Sequence, residues 1–254
     1  GSFTIPQFFS RRFRDDKNIL AVLAAVIIII FFIPYTASGF AACGKLFSSL
    51  FGMNYMTAMI ISAVVIVAYT TAGGFFAASA TDFVQSIIMT VAIVFVLVFS
   101  TISAGGVDAV VENAKALPGY LSLTASYIED TGKSEPYNLL HIITTLSWGL
   151  GYFGMPHILL RFMAIEDEKK LKLSRRVASV WVVIAMAMAV LIGIVGRALS
   201  NTGLVDQLHG NDTETIIVRV AHLLSTYGAF PAIMAGLILA GILASTMSTA
   251  DSQL

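Results

Sequence analysis

Long stretches without a charged side chain dominate the sequence. Apart from Lys45, residues 19–80 carry no charge, and further uncharged windows follow towards the end of the chain. Each window holds about 20 or more largely apolar residues, the length a helix needs to cross a hydrocarbon core about 30 Å thick. Because backbone amides in hydrocarbon must be satisfied within their own segment, we expect helices. The windows predict six spans, at 19–42, 55–72, 83–104, 139–160, 177–197 and 229–250.

Two longer loops separate these spans. Residues 105–138 and 200–228 both contain glycine-based turn signals. In the second loop the apolar residues recur at helical spacing, which predicts a short amphipathic helix. These residues are Ile216, Ile217, Val220, Leu223 and Leu224. The pattern predicts an all-α, polytopic membrane protein, with residues 1–254 forming a single transmembrane domain.

Composition excludes other classes of protein. Of 254 residues, 57% are apolar and 12% are charged, whereas a soluble domain has about 45–50% and about 25%. The net charge of zero argues against nucleic acid as a partner, because phosphate binding needs a basic excess. Cys43 is the single cysteine of the sequence. The sequence has no spacing typical of a catalytic nucleophile, a metal cluster or a phosphate-binding loop, so we do not expect an enzyme.

Basic residues are unevenly divided between alternate loops. Ten of them precede the first span or lie between the fourth and fifth: Arg11, Arg12, Arg14, Lys17, Arg161, Lys169, Lys170, Lys172, Arg175 and Arg176. The opposite side receives Lys45, Lys115, Lys133, Arg197 and Arg219. By the positive-inside rule we expect the N-terminus of this chain to be cytoplasmic, in a multi-pass protein of the cell inner membrane.

Helix-breaking residues are concentrated in the fourth span. Three glycines and Pro156 interrupt the apolar run WGLGYFGMPH at residues 148–157, and this pattern predicts a kink or an unwound stretch. Broken helices form substrate and ion sites in secondary transporters, although glycine also permits close helix packing. Trp148, Tyr152 and Pro156 follow one another at intervals of four residues. Their aromatic face suits an apolar ring or a cation, with interfacial anchoring as the alternative.

Several other polar residues lie in or beside apolar windows. Ser245, Ser248 and Thr249 are spaced to share one helix face and could supply oxygens to a small hard cation, or could bond back to the helix. Small residues spaced four apart in the same span predict close helix packing. Asp82 is either a helix N-cap paired with Gln85 or a carboxylate near an ion path. We interpret the histidines of the fourth window, His141 and His157, as satisfied polar residues.

Three motifs carry a resemblance to a known family. They are YTTAGGFFAASATDFVQ at 69–85, WGLGYFGMPH at 148–157 and ILASTMSTADSQ at 242–253. In this order they resemble the sodium:solute symporter family, and the resemblance extends along essentially the whole chain. It implies part of a five-plus-five inverted-repeat fold, with this chain covering the third to the eighth core helices. The first core helix would lie upstream of Gly1, so we expect the middle of a longer membrane protein.

The resemblance also implies a function and a site. Tyr35, Trp148, Tyr152 and Pro156 would contact the substrate. Sodium would bind the hydroxyls of Ser248 and Thr249 and the backbone carbonyl of Ser245. Asp82 would lie near the inner ion path. The implied activity is sodium-coupled import of proline or a similar small amino acid across a lipid bilayer. Two alternatives remain: a symporter of the same fold that carries another organic solute or uses protons, and a membrane-embedded sensor module.

Overall fold

The computed structural model describes residues 2–129, 131–152, 154–165 and 167–253. Its helices are α1 Ile5–Phe13, α2 Ile19–Phe51, α3 Tyr55–Ser103, α4 Val107–Ala116, α5 Leu139–Tyr152, α6 Pro156–Met163, α7 Leu171–Asn201, α8 Ile216–Ser225 and α9 Ala229–Gln253. Two strands, β1 Ala125–Ile128 and β2 Lys133–Pro136, lie between α4 and α5. Short 3₁₀ turns precede α7 at Glu168–Lys170 and α8 at Gly210–Thr215. The all-α fold class is confirmed.

Five helical segments among the described residues are long and apolar enough to cross a membrane. They are Ile19–Phe51, Tyr55–Phe76, Ala78–Ser103, Glu168–Asn201 and Ala229–Gln253. Large apolar side chains such as Ile30 and Val183 are exposed along them. Because these apolar side chains are exposed on helices of this length, we expect them to contact the hydrocarbon core of a membrane.

The fourth predicted span consists of two short helices. α5 has 14 residues and ends at Tyr152, whereas α6 has 8 residues and begins at Pro156. Phe153, between them, lies outside the described residues. Pro156 has no N–H to donate to a preceding turn, so it starts a new helix more readily than it continues one. The predicted interruption is present, and neither helix alone reaches the length of a membrane span.

A second interruption lies within α3. Gly74 has φ 58° and ψ −158°, a conformation that residues with a side chain rarely adopt. Apart from this residue, α3 is helical where the sequence predicts a loop between the second and third spans. Asp82 therefore lies inside a helix, and the N-cap interpretation of Asp82 is wrong. Pro34, by contrast, lies within α2 without ending it.

The described residues fall into two compact units. The first lies within Gly1–Ala80, Ser147–Trp181 and Thr246–Leu254, and the second within Thr81–Leu146 and Val182–Ser245. In the first unit Cys43, Ile66 and Ala250 form a small buried cluster. The hydroxyl of Tyr69 donates to the carboxylate of Asp251 at 2.6 Å, so a hydrogen bond joins α3 to the end of α9 within this unit.

The second unit contains the larger apolar core. Val96, Leu199, Val220 and Ile238 are fully buried in it. Gly241 permits close packing here, because a Cβ at this position would lie 2.7 Å from the Cβ of Ala92. This close approach agrees with the small-residue pattern of the sixth span. α8 is the amphipathic helix predicted for the second long loop, and Val220 and Leu224 bury its apolar face.

A hairpin that the sequence analysis did not predict lies in the first long loop. β1 and β2 pair in antiparallel fashion, with Ile128 opposite Lys133. Glu129, at the turn, accepts a hydrogen bond from Arg197 Nη1 at 3.1 Å and lies 3.4 Å from His209 Nδ1. The Arg197 hydrogen bond, with a smaller contribution from His209, lowers the pKa of the Glu129 carboxyl below its usual value. These contacts hold the hairpin against the end of α7.

Candidate functional site

An aromatic cluster lies beside the interrupted helix in the first unit. The ring of Tyr35, on α2, lies 6.3 Å from the ring of His157, the second residue of α6. Phe32, one turn earlier on α2, lies 5.7 Å from His157 and 6.1 Å from Tyr35. The side chain of Tyr35 also lies close enough to that of Tyr152, the last residue of α5, for the two to interact. The structure therefore brings Tyr35 and Tyr152 together at the helix break.

Trp148 and Pro156 are placed differently from the two tyrosines. Trp148 lies one turn before Tyr152 on α5 and is 64% exposed. Among the described residues, the ring contacts of the cluster do not include Trp148. Pro156 is the first residue of α6, so its ring forms part of the break itself. The indole of Trp148 thus extends from the same helix without closing over the cluster.

The backbone at the break is held by turn hydrogen bonds. Gly154 N donates to Gly151 O at 3.1 Å, and Met155 N lies 3.5 Å from Tyr152 O. At the start of α6, Pro156 has no N–H, and Ile158 N donates to Met155 O at 3.1 Å. The N–H groups of a helix point along its axis towards the N-terminus. α6 therefore directs the positive end of a helix dipole towards the break.

The burial of His157 beside the break was not predicted from the sequence. Its Nδ1 is buried and has no hydrogen-bond partner among the described residues, so the interpretation of His157 as a satisfied polar residue is wrong. Pro156 could have indicated this position, because a polar residue that directly follows a helix-breaking proline lies in the first turn of the next helix. The ring of His141, which belongs to the second unit, stacks on that of Tyr137 at 4.7 Å.

The predicted sodium ligands lie on α9. Ser245, Ser248 and Thr249 occupy consecutive turns of this helix; the two serines are half-buried and Thr249 is exposed. The backbone carbonyl of Ser248 accepts a hydrogen bond from Ser252 Oγ at 2.6 Å. Ser252 in turn accepts from Arg161 Nη2 at 2.5 Å. Hydroxyl and carbonyl oxygens are thus abundant at this end of α9, and they suit a small hard cation.

Asp251 is a further polar residue at this end of α9. It is 3% exposed, and it follows a window without charge that begins at Val220. A carboxylate that is almost fully buried needs partners, and Tyr69 supplies one. In the sequence, Asp251 stands out because it is an acidic residue at the end of an uncharged apolar window. A charge at such a position is costly unless it has a partner or a function.

A cavity of about 440 Å³ in the first unit connects these features. His157 and Arg161 of α6 line one part of it, and Asp251 and Ser252 of α9 line another. Residues around the α3 interruption complete the wall: Val67, Thr70, Thr71, Gly74, Phe75, Ala78 and Ser79. The cavity therefore adjoins both helix interruptions of this unit and the polar end of α9.

Asp82, the predicted ion-path residue, is half-buried within α3 in the second unit. Nearby on the same helix, Gln85 Oε1 is buried without a hydrogen-bond partner among the described residues. Asp82 and Gln85 therefore lie about one turn apart on a helix long and apolar enough to cross a membrane, where such side chains are costly unless they are satisfied.

Long apolar helices, one of them broken beside aromatic and polar groups, define a polytopic membrane protein of the transporter class. The model of the sodium:solute symporter family matches residues 1–254. The chain therefore belongs to the sodium:solute symporter family, whose members are transporters and not enzymes.

Individual relatives are similar over the whole chain. Sodium/proline symporter 2 of Staphylococcus saprophyticus is 37% identical over 253 residues, which cover 100% of this chain and 46% of the relative. The osmoregulated proline transporter OpuE of Bacillus subtilis is 38% identical over 253 residues, covering 100% of this chain and 48% of the relative. The sodium/proline symporter of Staphylococcus aureus is 36% identical over 253 residues, 100% of this chain and 46% of the relative. The chain thus spans about half the length of these relatives. No solved structure matches it.

Proposed function

We propose that the full-length protein couples the inward movement of sodium to the import of proline or a similar small amino acid. The observation that carries this proposal is the broken helix α5–α6, with Tyr35 and Tyr152 in contact at the break. The names of the relatives, which are sodium/proline symporters and a proline transporter, support the choice of substrate. Together these observations favour a transporter over a membrane-embedded sensor.

The substrate would bind at the helix break. An amino acid presents a carboxylate, which suits the positive dipole end at the start of α6. The pyrrolidine ring of proline is apolar on its faces, and aromatic side chains offer it large contact areas. Tyr35 and Tyr152 would contact this ring. Pro156 would interrupt the helix and so keep backbone groups at the break available to the substrate. Trp148 would complete the site by turning its exposed indole towards the bound substrate.

Sodium would bind near the end of α9 as a transported ion. The hydroxyls of Ser248 and Thr249 supply two neutral oxygens, and the carbonyl of Ser245 supplies a third through its second lone pair. Asp82 would contribute negative charge along the inner ion path. The remaining ligands would come from parts of the protein outside this chain.

The distribution of basic residues supports an orientation. Ten of the fifteen lysines and arginines lie in the segment before α2 and in the segment from Arg161 to Arg176. The positive-inside rule places these segments in the cytoplasm. The chain's N-terminus would then be cytoplasmic, in the cell inner membrane.

Proton coupling is a second candidate, favoured by one observation. Asp251 is a buried carboxylate beside the cavity in the first unit, and buried acids form proton relays in transporters. Uptake in proteoliposomes under a sodium gradient, compared with an equal proton gradient, separates the two candidates. Proline accumulation driven by the proton gradient alone would contradict sodium coupling.

The ligand assignment is tested by Ser248→Ala and Thr249→Ala in the full-length protein. Removing one oxygen from a bound cation should raise the sodium concentration for half-maximal proline uptake by about tenfold or more. Thr101→Ala is the matched control, because the Thr101 hydroxyl donates to Leu97 O within its own helix at 2.7 Å. An unchanged sodium requirement in both serine and threonine variants would refute the assignment.

A further inference from the structure

An amphipathic helix lies next to the first membrane-spanning helix. α1 presents Phe8, Phe9 and Phe13, all exposed. The segment from Arg11 to Lys17 carries four basic and two acidic residues, and each of its basic side chains is exposed. A helix that combines aromatic residues with arginines beside a membrane span is typical of the membrane surface. None of the residues assigned to the proposed transport site lies in this segment.

The corner between α1 and α2 is held by local hydrogen bonds. Asp15 Oδ2 accepts from the backbone N–H of Leu20 at 2.6 Å and of Ala21 at 3.4 Å, which satisfies donors at the start of α2. Ser10 Oγ donates to the carbonyl of Asp15 at 3.3 Å. Arg14 ends α1 in the left-handed conformation, with φ 51°. α1 is therefore fixed across the first turns of α2.

An apolar groove lies between the two helices. It has a volume of about 370 Å³, and all its described lining residues are apolar: Phe9, Phe13, Leu20, Leu23, Ala24 and Ile27. From Leu20 to Ile27 the groove follows α2 for about 10 Å at 1.5 Å per residue. The length of the groove along α2 is therefore similar to the depth, about 5–10 Å, to which interfacial helices insert at the boundary between lipid headgroups and acyl chains.

We propose that this groove binds an acyl chain of an anionic phospholipid, whose headgroup is held by Arg12 and Arg14. Charge complementarity selects this occupant. Arg12 and Arg14, both exposed, stand on either side of the groove-lining Phe13 in the sequence, and guanidinium groups bind phosphate through paired hydrogen bonds. The groove also continues into the apolar surface of α2, so an acyl chain enters it without leaving hydrocarbon. The Asp15 carboxylate accepts hydrogen bonds from the α2 backbone, and the basic residues of the segment outnumber its acidic residues by four to two.

Photo-crosslinking in the full-length protein tests the proposal. Phe13 is replaced by the photoreactive residue p-benzoyl-phenylalanine, and the protein is reconstituted in vesicles of equal parts phosphatidylglycerol and phosphatidylcholine. Mass spectrometry of the illuminated protein should detect phosphatidylglycerol adducts in clear excess. Adducts of the two lipids in equal amounts, or a crosslink to another segment of the protein, would overturn the proposal.

Charge variants identify the headgroup contact. In the crosslinking background, Arg12→Gln with Arg14→Gln should lower the phosphatidylglycerol excess by about fivefold for each arginine removed. Arg12→Lys with Arg14→Lys keeps the charge and should retain most of the excess. Lys115→Gln, on α4, is the matched control and should leave the excess unchanged.

Salt provides a test that needs no substitution in the basic segment. Raising the ionic strength from about 0.1 M to about 1 M shortens the Debye length from about 10 Å to about 3 Å, so the excess should fall. An excess that survives both high salt and the glutamine variants would show that α1 does not recognise the charged headgroup.

Discussion

Tyr35 links two elements of the proposed substrate site through one side chain. Its side chain interacts with that of Tyr152 on α5, and its ring lies 6.3 Å from His157 on α6. We expect the hydroxyl and the ring to have separable roles: the hydroxyl would interact with Tyr152, whereas the ring would supply apolar surface. A substitution that removes the hydroxyl alone separates these roles.

We predict that Tyr35→Phe raises the KM for proline by about two- to tenfold, the range of one lost hydrogen bond, with a smaller change in kcat. Uptake kinetics in proteoliposomes of the full-length protein measure both constants. Tyr137→Phe is the matched control, because it also removes only a tyrosine hydroxyl, and the ring of Tyr137 stacks on His141 in the second unit. A normal KM for Tyr35→Phe would exclude the hydroxyl from substrate binding.

Gly236 and Gly241, both on α9, differ in how closely neighbouring residues approach them. A Cβ at Gly241 would lie 2.7 Å from Ala92 Cβ and 3.6 Å from the Ile88 carbonyl oxygen. A Cβ at Gly236 would meet nothing within 4 Å among the described residues. Both glycines belong to the small-residue pattern of the sixth predicted span, but Gly241 alone of the two lies at a close helix contact.

We predict that Gly241→Ala destabilises the protein by about 1–3 kcal/mol, because an added methyl group overpacks this contact. Gly236→Ala should leave stability unchanged or raise it slightly, since alanine favours helix. Unfolding in detergent micelles, followed by circular dichroism, compares the two variants. Equal stability of the two would contradict the packing of α9 on α3 in the second unit.

The hairpin contact at Glu129 predicts a dependence on pH. The native pKa of Glu129 lies below its unfolded value, near 4.5, so its ion pair stabilises the folded state above that pH. The contribution is lost as the pH falls through the lower native value. Because the side chain is 39% exposed, solvent screens the pair and the effect is small.

Glu129→Gln should therefore increase hydrogen exchange in β1 and β2 at neutral pH. At a pH below the native value of Glu129, where the carboxylate of the unsubstituted protein is protonated, the two proteins should exchange alike. Amide exchange followed by mass spectrometry gives this comparison. A difference that persists at low pH would show that Glu129 acts through something other than its charge.

At the scale of the whole molecule, apolar windows predicted the membrane-spanning helices because their length and lack of charge reflect one physical requirement. Pro156 predicted the break in the fourth span for a similar reason, since a missing N–H acts locally. The continuation of α3 past residue 72, the β1–β2 hairpin and the burial of Asp251 were not predicted. The burial of Asp251 depends on a contact with a residue distant in sequence, Tyr69, which local patterns do not encode. The hairpin, by contrast, pairs residues close in sequence, such as Ile128 with Lys133.

The site was predictable to a similar extent. Spacing along one helix placed Ser245, Ser248 and Thr249 on one face, and the breaker pattern indicated where Tyr152 and Pro156 lie. The contacts of Phe32 and His157 with Tyr35 were not predictable, because they join α2 to α6. The proposed site therefore depends on packing between helices that the sequence describes only one at a time.

The most direct test of the account follows both solutes at once. The full-length protein is reconstituted in proteoliposomes, and the entry of radioactive sodium is measured with and without external proline at a fixed membrane potential. The account predicts that proline stimulates sodium entry and that a sodium gradient drives proline accumulation. Proline uptake that is equal in sodium-free medium, with no proline-stimulated sodium entry, would contradict it.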